Sequence, residues 1–216
     1  FTALIYFIVL SFQTYKRIGL WRDGRTISQE ILEYHPECAK AWSILGLENA
    51  ERGNTEEAIE YFSKAILFGD SSASTFYNRG LAFEKNNSYS QAIEDFTKAI
   101  EKDPFKASFF NNRGYTYDLM GEFTDAMTDY DHALRLEPAD NAALLNKANL
   151  LLKQGLLSEA ICLYDTLIRK QDPQAVYYCN RAIALYKNAM TAEAKKSLQK
   201  ALDIDPRHQN SLYNFG

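Results

Sequence analysis

The chain has 216 residues, of which 46% are hydrophobic and 24% charged, and a net charge of -4. That composition supports a buried core, argues against low-complexity disorder, and supplies no gathered basic surface of the kind that DNA or RNA binding requires. Cys38, Cys162 and Cys179 are an odd number at wide spacing, which fits neither a disulfide framework nor a zinc site.

The first stretch, FTALIYFIVLSFQTYKRIGLW, has no charge in its first fifteen residues and then gathers Tyr15, Lys16, Arg17, Trp21 and Arg22. A spanning helix needs about 20 apolar residues, and an aromatic and basic flank suits a membrane boundary. Residues 1–20 are therefore expected to form an apolar helix that ends a transmembrane segment, which makes the chain membrane-associated. There is no starting Met, basic leader or small-residue cleavage site to suggest a signal peptide. The other reading of the same stretch is a hydrophobic helix that caps the array behind it. Residues 21–38, closed by Pro36, read as a degenerate capping half-repeat.

From there the chain repeats itself. Gly46, Gly80, Gly114, Ala148, Ala182 and Gly216 follow one another at intervals of 34 residues. Two more small columns keep the step, one of Ala58, Ala92, Ala126, Ala160 and Ala194, the other of Ala65, Ala99, Ala133, Leu167 and Ala201. A bulky column of Phe62, Phe96, Tyr130, Tyr164 and Leu198 runs beside them, and Asp70, Pro104, Pro138, Asp172 and Pro206 close the units. A fixed period of this length is the signature of a repeat architecture.

Each unit reads as two helices. In residues 73–106, Phe76, Leu81 and Phe83 mark a first helix and the NNS at 86–88 a polar turn. Ala92, Ile93, Phe96, Ala99 and Ile100 then fall at three-and-four spacing on one face of a second helix, which Asp103 and Pro104 stop. Where two helices cross closely, Gly or Ala permits backbone approach and a large aromatic fills the remaining space.

This pattern resembles the tetratricopeptide repeat family, with a bulky residue at position 4, small ones at 8, 20 and 27, an aromatic at 24 and proline at 32. Trp42, Phe76, Phe110, Leu144 and Tyr178 take position 4. The resemblance covers five repeats, 39–72, 73–106, 107–140, 141–174 and 175–208, with the start of a sixth at 209–216. It implies an all-α fold, a right-handed α-solenoid of antiparallel helix pairs. Ala148 and Ala182 depart from glycine, Leu167 from a small residue, and Asp70 and Asp172 from proline, so repeat four is expected to pack slightly differently. Gly216 stands inside the first helix of a repeat, and the chain is expected to be a fragment of a longer parent.

The junction TYKRIGLWRDGRTISQEILEYHPECAKAWSILG is similar to that of membrane-embedded sugar (O-mannosyl) transferases with C-terminal tetratricopeptide repeats. The resemblance rests on Trp21 and Asp23 and implies an extracytoplasmic array. Lys16, Arg17 and Arg22 beside the span point to the cytoplasmic side instead, and both topologies stand open.

The resemblance further implies a concave groove lined by positions 2, 5, 6, 9, 12 and 13 of each first helix. Position 6 is Asn78, Asn112, Asn146, Asn180 and Asn214 in repeats two to six, and Ile44 in the first. An amide offers a donor and an acceptor together, the pair a peptide backbone presents. Packed helices lie about 8–10 Å apart, so an extended peptide rising about 3.3 Å per residue would meet an Asn at about every third residue. The series resembles the asparagine ladder in the repeats of the O-GlcNAc transferase family, which grips peptide backbone. The other reading of these amides is structural: they bond to neighbouring helices or water, with Arg79 and Arg113 reaching Asp95 and Asp129 across each hairpin. Tyr77, Leu81, Asn111 and Tyr115 are expected to give the middle of the groove a mixed surface. Leu145, Leu152, Val176, Cys179, Ile183 and Tyr186 are expected to form an apolar patch, with Asn149 nearby at position 9.

Chaperone-binding members of the family hold a terminal carboxylate with lysine at position 5. Here that position is Ser43, Tyr77, Asn111, Leu145 and Cys179, so no chaperone carboxylate clamp is expected. His35, His132 and His208 lie far apart, with His132 read as a solvated residue, and no phosphate loop or nucleophile elbow occurs. No catalytic residue, metal or cofactor is expected. Two functions remain: a membrane-tethered scaffold that binds a protein or peptide segment in its groove, or the substrate-presenting arm of a membrane glycosyltransferase whose catalytic part precedes Phe1.

Overall fold

The computed structural model describes residues 24–170 and 173–208. The apolar segment 1–20, Trp21, Asp23, Asp172, and residues 209–216 with Asn214 and Gly216 lie outside the described residues.

The described residues form eleven α-helices and no strand. In chain order these are α1 (Gly24–Tyr34), α2 (Ala39–Arg52), α3 (Thr55–Leu67), α4 (Ala73–Lys85), α5 (Tyr89–Lys102), α6 (Ala107–Met120), α7 (Phe123–Leu136), α8 (Asn141–Lys153), α9 (Leu157–Ile168), α10 (Ala175–Lys187) and α11 (Thr191–Ile204). They fall into two units divided after Pro104. In the first, α1 packs on α2, the hairpins α2/α3 and α4/α5 close on themselves, and α3 packs on α4. In the second, the hairpins are α6/α7, α8/α9 and α10/α11, with α7 against α8 and α9 against α10. The fold is all-α, of the helix-pair solenoid class that the repeat implied.

The turn inside every hairpin has the same cause. Position 15 adopts the left-handed conformation in all five repeats, at Gly53 (φ 83°), Asn87 (φ 59°), Gly121 (φ 83°), Gly155 (φ 79°) and Ala189 (φ 61°). Glycine takes this backbone freely and asparagine tolerates it. Ala189 has neither advantage and holds a strain of about 1 kcal/mol or more.

Between repeats one and two, Asp70 stands where proline closes other units. It accepts from the Ser72 amide at 3.1 Å and from Thr75 Oγ1 at 2.7 Å, while the Ser72 hydroxyl accepts from the Thr75 amide at the start of α4. Burial pushes the Asp70 carboxyl up, but the hydrogen bonds from Ser72 and Thr75 outweigh it and hold the pKa below the usual value.

The small and aromatic columns meet within the hairpins of repeats one to three. A Cβ at Gly46 would lie 2.7 Å from the Phe62 ring, and one at Gly80 2.8 Å from the Phe96 ring. At Gly114 the corresponding distance to Tyr130 is 3.1 Å. Phe62, Phe96, Tyr130 and Tyr164 are fully buried, each such burial stabilising by about 1.5–3 kcal/mol. In repeat four, Leu167 is fully buried in a cluster with Leu144, Ala148, Leu151, Tyr164 and Tyr177.

A column of cations at position 7 ties the helices laterally. Arg79 donates to Asp95 from Nε at 2.6 Å and from Nη2 at 2.8 Å, and from Nη1 to Ser63 of the preceding repeat at 3.0 Å. Arg113 makes the same fork to Asp129, with both bonds at 2.8 Å. Burial lowers the Arg113 pKa, but hydrogen bonding to Asp129 and its charge outweigh this and set it above the ordinary arginine value. In repeats four and five, position 23 is Leu163 and Ser197, so the cation turns to position 25 of the preceding repeat. Lys147 reaches Asp131 and Arg181 reaches Asp165, each at 2.6 Å.

Gly80→Ala sets a gain of about 1 kcal/mol in helix propensity against overpacking of about 1–3 kcal/mol. At 2.8 Å from a buried ring the clash prevails, so denaturant unfolding should show a net loss of stability. Adding Phe96→Leu should restore part of it. A Gly80→Ala chain as stable as the parent would contradict the close-approach account.

Candidate functional site

The predicted groove residues sit on the first helix of each hairpin, and the structure sorts them by depth. In the first unit Asn78, on α4, is half-buried and lines a pocket of about 290 Å³ with Leu47, Ala50, Glu51, Leu81 and Lys85. Tyr77 is also half-buried, and its ring leans on Phe96 with centroids 5.8 Å apart.

In the second unit the amides are bonded to one another. Asn146 on α8 donates from Nδ2 to Asn111 Oδ1 on α6 at 3.0 Å. Asn180 on α10 donates from Nδ2 to Asn149 Oδ1 on α8 at 2.9 Å, and the same oxygen accepts from the Tyr164 hydroxyl at 2.7 Å. Asn112 is half-buried on α6, Tyr115 is exposed, and Tyr186 is exposed by 68%. Asn149 and Asn180 line a second pocket, of about 380 Å³, with Asp118, Leu152, Lys153 and Lys187. Leu145 and Tyr186 are not among its lining.

Position 5 departs from the expectation. Ser43, Asn111 and Cys179 are buried rather than groove-facing. The next first helix covers Ser43 and Asn111, as the 3.3 Å contact of Ser43 with Thr75 and the Asn146 bond to Asn111 display, while Cys179 is buried in the cluster of α10 and α11 with Leu185 and Leu198. The expected apolar patch is divided: its Cys179 belongs to the core, while Leu145, Leu152, Val176 and Ile183 are half-buried and Leu152 lines the second pocket. Cys179 is fully buried, Leu145, Leu152 and Val176 pack on the cluster around Leu144 and Tyr164, and Ile183 packs on that around Ala182 and Leu185. Only Tyr186 of that group is widely exposed.

Lys153, Lys187, Asp118 and Tyr164 escaped the reading of the sequence. Position 13 belongs to the groove set, so its lysines were within reach of the repeat register. The Tyr164 hydroxyl gave no such signal, because its column reads as ring packing. Lys153 pairs with Asp118 at 2.8 Å and lies 5.0 Å from the centre of the Phe123 ring. His132 is exposed, yet its ring stacks on Phe110, with centroids 5.2 Å apart and planes 11° apart.

Among the described residues no three His, Cys, Asp or Glu side chains gather to hold a metal ion. No helix among them is long and apolar enough to cross a membrane.

Comparison with known proteins places this geometry. Sequence models of the tetratricopeptide repeat match residues 73–106, 175–208 and 96–128, and one of them matches both 11–74 and 113–176. No curated protein matches the chain. Among solved structures, YrrB, described as a TPR protein with an unusual peptide-binding site, is 21% identical with a TM-score of 0.70, over 87% of this chain and 96% of that one. A tetratricopeptide repeat protein from Parabacteroides merdae is 18% identical with a TM-score of 0.73, over 91% of this chain and 78% of that one. MamA from Desulfovibrio magneticus is 16% identical with a TM-score of 0.72, over 79% of this chain and 97% of that one. At these identities the likeness is one of fold. With a single repeat model matching both 11–74 and 113–176, more than half its length, the chain belongs to the tetratricopeptide repeat family.

Proposed function

We propose that the chain is a protein-interaction scaffold that holds an extended segment of a partner along the first helices of its repeats. The observation that carries this reading is the state of the position-6 amides in the second unit. Asn146 and Asn180 each spend one N–H on a neighbouring helix. Each amide retains a second N–H and a carbonyl oxygen with two lone pairs, held in place by the bond already made. A donor and acceptor fixed in advance suit the backbone of an extended chain, because little side-chain freedom is lost on binding. YrrB, a TPR protein with an unusual peptide-binding site, agrees with a groove ligand of this kind.

The membrane tether belongs to the same proposal. Its support is the sequence of residues 1–20, uncharged through residue 15 and followed by Lys16, Arg17, Trp21 and Arg22. The scaffold would then present its groove close to a bilayer surface.

Replacing Asn112, Asn146 and Asn180 together by Ala should weaken capture of the native partner by an order of magnitude or more while helicity stays unchanged. Melting should fall modestly, since removing the Asn146 donor leaves buried Asn111 short of a partner, at about 1–3 kcal/mol. Equal partner binding by the triple variant and the parent would rule out the amide ladder. For the tether, the chain should co-float with liposomes and lose that property on removal of residues 1–20. A chain that stays in the aqueous phase with residues 1–20 intact would rule it out.

A further inference from the structure

The pocket between α8 and α10 has a polarity fixed from inside the core. Asn149 Oδ1 accepts from both Tyr164 and Asn180, which uses the two lone pairs of an amide oxygen. The Asn149 Nδ2 group, on the other arm of the amide, keeps both protons. Turning the amide over would deprive the hydroxyl proton of buried Tyr164 of the acceptor it has here, which favours this orientation. Tyr164 is fully buried, and burial raises its phenol well above the ordinary tyrosine value. As the donor to Asn149 it is a neutral hydroxyl.

Lys153 and Lys187 line the same pocket. Asp118 engages Lys153, while Lys187 has no acidic partner among the described residues. Two ammonium groups against one carboxylate leave the pocket with an excess positive charge, and its amide hydrogens add donors to it. A complementary occupant brings acceptors and negative charge, and charge-assisted hydrogen bonds of this type are about twice as strong as neutral ones.

We propose that Tyr164 is a positioning residue that turns Asn149 donor-outward, and that the pocket it shapes with Asn180, Lys153 and Lys187 takes the carboxylate side chain of an Asp or Glu within the bound segment. The assignment rests on the groove reading above and adds a chemical requirement to it.

The test uses a pool of synthetic dodecapeptides, N-acetylated and C-amidated, selected on the full chain, with a second pool bearing free carboxyl termini. Bound amidated peptides should be enriched in Asp or Glu at one register. Changing that residue to Asn or Gln should raise Kd about tenfold. Lys187→Gln should abolish the preference. Tyr164→Phe, which keeps the packed ring, should reduce the Glu-over-Gln ratio by weakening the Glu peptide more than the Gln peptide, an outcome that loss of stability alone would not produce. Asn149→Asp, which preserves the accepting oxygen, should invert the ratio. Amidated peptides bound without acidic enrichment, or a ratio unmoved by Lys187→Gln and Tyr164→Phe, would overturn the assignment and leave the groove reading standing. Selection of free-carboxyl peptides alone would move the ligand to a chain terminus and equally overturn it. If the parent chain enriches no peptide over the Asn112, Asn146 and Asn180 triple variant, the groove reading itself fails, and the pocket assignment with it.

Discussion

The hairpins of repeats one to three depend on the distance of closest approach between their two helices, set where a position-8 glycine lies under the position-24 ring. At Gly46 and Gly80 that distance leaves no room for a methyl group beside Phe62 and Phe96. There the ring occupies the volume that a larger position-8 side chain would need. At Gly114 the gap to Tyr130 is wider, and in repeats four and five the position is alanine. The same contact fixes which faces of the first helix remain for other uses. Positions 5 and 6 are then presented toward the neighbouring first helix and the groove.

Polar groups specify how repeats sit beside one another within each unit. The position-7 cation works across the hairpin when position 23 is acidic, as with Asp95 and Asp129, and toward the previous repeat when the acid lies at position 25, as with Asp131 and Asp165. Asp95 has 2% of its side chain exposed and Asp129 4%, so removing either would strand a largely buried guanidinium, at a cost of about 3–5 kcal/mol. Asp131 is 45% exposed, and a bridge in that setting contributes about 1 kcal/mol or less. The first type locks a hairpin, while the second aligns hairpins whose stability comes from the leucine-rich cluster around Tyr164.

The helix pairs were legible in the sequence because the 34-residue step places Gly80 and Phe96 in columns that any register error would scramble. The bridges of Arg79 and Arg113 were legible for the same reason. Their counterparts at Lys147 and Arg181 were not, since the partner lies in a different repeat and only the packing selects it. The burial of Asn111 was hidden because its position is covered by the neighbouring first helix, which periodicity does not locate to within a side chain. The alternatives for the asparagines, ladder or scaffold, proved less opposed than the residue pattern implied. Asn146 and Asn180 bond to neighbouring helices and still carry a second N–H and an acceptor.

That dual use is the physical basis of the functional reading: an amide held by its own scaffold is prepared to hold another chain. The direct test is to follow asparagine side-chain amide signals by NMR in a chain labelled with 15N-asparagine, as a selected peptide is added. The account predicts that the Nδ2 signals of Asn112, Asn146 and Asn180 move with occupancy, while those of Asn141 and Asn188, exposed at the start of α8 and just past the end of α10, stay in place. Movement of Asn141 and Asn188 with the position-6 signals unmoved would contradict it.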